Sequence, residues 1–363
     1  MQEPNASNAG HFPHPRSWRR KLAWGFGLSA LVLFAGVEIY NRLTIGHFVR
    51  PAGPTPPSPN IAASARSRYI RLAIEDRPQA PEHPREGWCG EVTIQMACLF
   101  RGAFIPQSEL NRIGKASHPD IYAHEIPPLL DAIGIEHFPF STIKSHFVTC
   151  AIQSLWRPKG YQANNFIEWQ RLNLLIGGRP IISGIMSSPG MAPPIWPLDH
   201  IVLTVGYEDH PANGDSLVYN PNWQEGSRTQ AVATLTRPGI GFTFVNPLNY
   251  YFGEAVGEFK FGDKSIPVSL NAVKEDKDTA SLKVTLSGLN LGHPYQLHRF
   301  ETSRLTSPMT LATMSNTLVH SFTAISNSLV LEPDSSPGYK VNTHHTTFFR
   351  CYEQVGEEKG RLP

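Results

Sequence analysis

The sequence predicts an α+β protein in which a helix begins at a cysteine and a buried strand opens on a histidine, followed by a smaller β-sandwich. Three observations predict it. Residues 91–100, 107–115, 124–132 and 165–175 place apolar side chains at three- and four-residue spacing, the pattern of amphipathic helices. Residues 180–186 and 201–205 are short continuous apolar runs rich in β-branched residues, as buried strands are. From residue 262 onward the pattern changes to alternation, the mark of strands with one solvated face.

The 363-residue chain divides by composition into five segments. Residues 1–21 are polar, end in Arg16, Arg19, Arg20 and Lys21, and read as a disordered basic N-terminus. The apolar segment 22–40 that follows reads as a signal peptide or signal anchor. No Ala-x-Ala cleavage pattern accompanies Ala35 and Gly36, so the expectation is a transmembrane helix with the remainder outside the cytoplasm, periplasmic or extracellular, or a secreted chain if the segment is cut. Residues 41–69 contain the proline-rich run 51–59 and predict an extended spacer.

Residues 70–261 hold the candidate chemistry. Cys89 stands in Gly87-Trp88-Cys89-Gly90-Glu91, where the first predicted helix begins. A thiolate is the reactive form of cysteine, and the unpaired amides of a helix start favour it, so a lowered thiol pKa is expected there. Gly87 leaves room for a substrate backbone, and Trp88 is a candidate wall of the site. After Gly177-Gly178-Arg179-Pro180 stops the last helix, the strand at 180–186 and a proline-rich loop at 187–197 lead to Asp199-His200. Trp196 in that loop and Asp199 are candidate substrate contacts. His200 opens the strand 201–205, which Gly206-Tyr207 is expected to end in a turn. The strand 216–219 then brings Asn220 back toward His200, where its amide oxygen would accept the imidazole N–H and leave the other ring nitrogen facing the thiol; Asp199 and Asn222 compete for that role.

These motifs, Gly-Trp-Cys-Gly-Glu, then Asp-His-Ile-Val-Leu-Thr-Val-Gly-Tyr, then Val-Tyr-Asn-Pro, resemble the bacteriocin-processing, double-glycine leader peptidase branch of the papain-like cysteine peptidase superfamily. The resemblance covers roughly residues 70 to 255. It implies the papain-like fold, with Cys89 as nucleophile, His200 as general base and Asn220 as orienter. That branch places an oxyanion-hole glutamine about six residues before the cysteine; here His83 stands at that position, and Gln79 is the nearest glutamine upstream. Gln79 is therefore the candidate second donor beside the Cys89 amide.

Residues 262–363 predict the antiparallel β-sandwich, with strands at 281–286, 295–300 and 346–352 separated by turn clusters at 290–294 and 334–338. A formal net charge of +2 carries no electrostatic footprint for nucleic acid. The four cysteines, Cys89, Cys98, Cys150 and Cys351, form no CxxC pair; one bridge among the last three would leave Cys89 free. His118, Asp120, His124 and Glu125 match no metal motif, so neither a metal nor another cofactor is expected.

Two functions follow. The first is a thiol-dependent hydrolase that cleaves peptide or isopeptide amides through an acyl-enzyme, with transfer to an amine within the same chemistry. The alternative is an inactive papain-like module that binds peptides or serves as a scaffold at the membrane surface. The expected partners are a peptide or protein substrate and, through the N-terminal segment, a membrane.

Overall fold

The computed structural model describes residues 68–79, 87–114, 120–140, 159–187, 199–209, 214–223, 226–236, 243–244, 251–306 and 309–354. They form a mixed α+β structure whose strand pairs are antiparallel.

Helix α1 (Cys89–Phe100) is the central helix, and every residue from Gly90 to Leu99 is buried. A helix apolar nearly all round is enclosed on all sides, and α1 packs against strands of both halves of the fold. Helix α2 (Gln107–Gly114) follows. The expected helix at 124–132 is divided into a 3₁₀ turn (Ala123–Glu125) and α3 (Ile126–Ala132). The Glu125 carboxylate accepts the Tyr122 amide at 2.9 Å and closes a capping box, while Pro127 and Pro128 fall in the first turn, where their missing N–H groups cost least. Helix α4 runs from Lys159 to Gly177.

Seven strands build the first sheet: β1 (Arg68–Arg71), β3 (Ile135–Pro139), β4 (Ile181–Ile185), β5 (His200–Asp209), β6 (Ser216–Asn220), β7 (Arg228–Ala231) and β8 (Gly253–Phe259). Their order is β3-β8-β4-β5-β6-β7, and β1 pairs with the second half of β5. Gly206 does not end β5 in a turn. It sits at a bulge where β1 and β6 flank it, and an added Cβ would lie 2.8 Å from the Ile70 carbonyl oxygen and 3.0 Å from Val218 Cβ. The residue is glycine because the Ile70 carbonyl and the Val218 side chain leave no room for a Cβ, and the strand continues to Asp209.

Two four-stranded sheets make up the C-terminal region. One contains β9 (Val268–Glu275), β10 (Thr279–Ser287), β13 (Ser328–Leu331) and β14 (Lys340–Asn342). The other contains β11 (Pro294–Thr302), β12 (Ser315–Thr323), β15 (Thr346–Glu353) and, from far upstream, β2 (Ala103–Phe104). Leu99 and Phe104 are buried among residues of these sheets, and Phe300, Leu305 and Phe348 are buried in the core of the first half. The two cores therefore exchange side chains across the chain boundary at 261/262. Arg77 adds a polar tie, pairing with Glu275 while its Nε donates to Gln95 Oε1 at 3.2 Å.

The expected transmembrane helix or signal anchor requires correction. Among the described residues no helix is long and apolar enough to cross a membrane. Residues 22–40, and nearly all of the N-terminus and spacer around them, lie outside the described residues. Arg68 and Tyr69, placed at the end of the spacer, belong to β1. Cys150 and His118 also lie outside the described residues, while Cys98 and Cys351 are buried free thiols.

Candidate active site

Local geometry brings the start of α1 to the start of β5. Gly87 takes φ +70°, a conformation that suits glycine, and its carbonyl accepts the Cys89 amide at 2.6 Å as the chain turns into the helix. That bond occupies the amide expected to polarise a substrate carbonyl. Trp88, buried at the N-cap position, is 3 % exposed and packs inward instead of lining an open cleft.

The Cys89 thiol lies within reach of the Ile201 backbone amide, which favours its ionised form. Burial nevertheless dominates and pushes the thiol up to about 12, and the carboxylates of Glu91 and Asp120 push in the same direction. The lowered thiol pKa expected from the helix start is thus reversed. A helix terminus contributes a partial charge, whereas these residues add desolvation and two nearby acids.

His200 is buried and pairs with Ile185 across β4 and β5. Its Nε2 lies 2.9 Å from the Pro221 carbonyl oxygen. A carbonyl can only accept, so Nε2 carries the proton and Nδ1 keeps its lone pair, as a general base requires. Burial lowers the His200 pKa; the Pro221 bond and the Asp199 charge oppose that effect, and Arg228 adds to it. At neutral pH both members of the pair are uncharged.

The Pro221 carbonyl occupies the orienting place expected of Asn220. The Asn220 amide is engaged elsewhere: Nδ2 donates to the Ile74 carbonyl at 3.1 Å, and Oδ1 accepts from Ser227 Oγ at 2.6 Å. Alternation along β6 explains the difference, because it turns the Asn220 side chain toward Ile74 and Met96 and leaves the next backbone carbonyl facing His200. Asp199 is exposed and its Oδ1 accepts the Ser187 amide at 2.5 Å, so it shapes the loop entrance. Gln79 is half-buried beside Pro78, whose carbonyl accepts from Gln107 at 3.1 Å; among the described residues no hydrogen bond joins Gln79 to Cys89. Trp196 lies outside the described residues.

Three residues complete the arrangement: Asn222, the competing orienter, whose side chain bonds Ile201, Thr93 and Cys89 while Pro221 holds His200, and Asp76 and Trp223, which were not singled out. Asn222, fully buried at φ +70°, donates through Nδ2 to the Ile201 carbonyl at 2.6 Å, to Thr93 Oγ1 at 3.1 Å and to the Cys89 carbonyl at 3.2 Å. It bolts the start of α1 to the start of β5. Asp76 accepts the Asn222 amide at 2.9 Å and also bonds the amides of Trp223 and Gly226, which fixes the loop after β6. Trp223 stacks on His200 at a centroid distance of 5.2 Å and an interplanar angle of 21°, and the Arg228 guanidinium lies over the same indole at 5.1 Å. The Asn-Pro-Asn-Trp run was the available signal, since a turn followed at once by an aromatic places a flat side chain beside the strand end.

The arrangement offers a thiol, a neutral imidazole with a fixed tautomer and a half-exposed aromatic ledge, which together suit proton abstraction and nucleophilic attack on a carbonyl. Comparisons with family models, with curated proteins and with solved structures found no match to this chain.

Proposed function

We propose that the chain is a thiol-dependent hydrolase of peptide or isopeptide amides with a papain-like arrangement, in which Cys89 attacks the carbonyl and His200 manages the proton. The observation that carries this reading is the bond from His200 Nε2 to the Pro221 carbonyl, because it directs the basic nitrogen away from the protein acceptor at the strand end whose next amide meets the thiol. Cys89 and His200 start neutral, so the thiol proton moves to His200 Nδ1 as sulfur attacks, forming the C–S bond. His200 then gives that proton to the leaving amine as the C–N bond breaks. Water, deprotonated by His200, releases the acid and restores the thiol.

A second reading, a binding module without turnover, is favoured by one observation: the Cys89 amide is held by Gly87 and Gln79 stands apart, so the oxyanion donors are not assembled. Incubation with a peptide library and intact-mass analysis tests both. An acyl adduct on Cys89 that turns over, and is absent in His200→Ala, is the expected result. Peptide retention that survives Cys89→Ala, with no adduct in the wild type, would select the binding module.

A further inference from the structure

Glu91 stands two residues after Cys89, in the first turn of α1, and is fully buried. Its Oε1 accepts Asn111 Nδ2 at 2.7 Å and the Ile121 amide at 3.1 Å. Its Oε2 is buried and, among the described residues, has no hydrogen-bond partner. A helix start welcomes a carboxylate, but a buried carboxylate with one bare oxygen is a poor ion. Burial accordingly pushes Glu91 up to about 7, while Asn111 and the Ile121 amide pull the other way. The groups facing it are Cys89 on its own helix, Asn111 from α2, and Asp120 with the Ile121 amide from the segment before the 3₁₀ turn. Asp120 and Cys89 are the titratable members of that set. Each negative charge in it opposes the others.

We propose that Glu91 is a positioning and tuning residue for Cys89, tying the first turn of α1 to α2 and to Ile121 while its charge state sets how readily the thiol ionises. The inference rests on the reading of Cys89 as the nucleophile. With Glu91 protonated, the thiolate is opposed by Asp120 alone; with Glu91 ionised, it is opposed by both. Thiol reactivity normally climbs with pH, and Glu91 acts as a brake on that climb as the pH passes through neutrality.

The test is the rate of modification of Cys89 by dipyridyl disulfide between pH 5.5 and 9, followed by peptide mass analysis on the full chain, for wild type and Glu91→Gln. The glutamine keeps the Oε1 acceptor and removes the charge. The expected ratio of variant to wild-type rate is near one below pH 6 and rises to about five-fold by pH 8, the order expected for one unit charge near a partly buried thiol. A ratio that is flat across the range overturns the proposal. Should Glu91→Gln fail to fold, Asn111→Ala serves instead: it removes a donor that favours the ionised carboxylate, so the inflection in the wild-type profile moves to higher pH. An unmoved inflection overturns the proposal as well. Peptide turnover, measured in parallel with His200→Ala as control, separates the two readings. A stepped ratio without turnover supports Glu91 as the tuner and removes the hydrolase; turnover with a flat ratio removes only the role of Glu91.

Discussion

The side-chain amide of Asn222 donates to the main-chain carbonyl of Ile201 at 2.6 Å, and through the same nitrogen it reaches Cys89 and Thr93 on α1. One buried amide thus couples the helix that carries the thiol to the strand that carries the imidazole. Its left-handed backbone separates two effects. Asn222→Gly keeps the conformation and loses the bonds, whereas Asn222→Ala loses both. Both variants are expected to be destabilised by about 2–4 kcal/mol through unsatisfied buried carbonyls, with alanine worse by about 1 kcal/mol. Urea denaturation of the two variants checks the order; an alanine variant as stable as the glycine variant would show that the backbone is not strained.

Asn220 bonds to Ile74 and Ser227 and not to His200. Asn220→Ala is expected to cost about 1–3 kcal/mol in stability. It should leave the titration of His200, followed by NMR of the ring Cε1 proton, where it is in the wild type. A moved titration would return the orienting role to Asn220.

Trp223 shields His200 yet is itself 41 % exposed, so its removal opens the ring to water without emptying a core. Burial is the main cause of the lowered His200 pKa. Trp223→Ala is therefore expected to raise that pKa toward the ordinary value near 6.5 and to move the acid limb of any pH–rate profile to higher pH. A downward shift would mean that the Arg228 charge, and not burial, controls the ring.

His137 links β3 to β8 through Glu254 Oε2 at 2.9 Å, and Asp131 lies 3.3 Å from its other nitrogen. The hydrogen bond to Glu254, then the charges of Glu254 and Asp131, raise its pKa against the cost of burial. A raised folded pKa means that this stabilisation is fully present below the unfolded value of about 6.5 and is lost as pH rises through the folded value. His137→Gln is expected to be about 2 kcal/mol less stable than wild type at pH 6. The gap should narrow by pH 8.5. Thermal unfolding at both pH values measures it, and a gap that widens with pH would refute the assignment.

Phe348 belongs to β15 but is buried in the first core, edge-on to Phe259 at 5.1 Å and to Phe261 at 5.2 Å. Phe348→Ala is expected to cost about 3–5 kcal/mol. Because the two cores interleave at this point, hydrogen exchange should accelerate in α1 as well as in β10 and β11. Acceleration confined to the C-terminal sheets would show that the halves unfold separately.

Local pattern made much of this molecule legible. The apolar spacing of α1, the β-branched run of β5 and the alternation of β10 and β11 are properties of consecutive residues, and a helix or strand forms over each; β15 forms as a strand too, but Thr346 to Cys351 are all buried, so it lacks the solvated face that alternation predicts. Gly206 misled because a glycine between two close strands and a glycine in a turn look alike in one dimension. The orienter of His200 was obscured for a different reason: the acceptor is the backbone of Pro221, and a carbonyl has no letter of its own.

The chain's own order of residues was enough to place a cysteine at a helix start and a histidine at a strand start, since helix and strand periods are short-range. Whether the thiol is charged, which group holds the imidazole and how the two halves share a core depended on residues far apart in the chain. Asp76 reaches Asn222, Asp120 faces Cys89 and Phe104 pairs with Thr347 only after folding. Desolvation and charge act through space, so the helix-start rule that favours a thiolate was outweighed by burial, by Glu91 in the same first turn and by Asp120, which tertiary packing brought to Cys89.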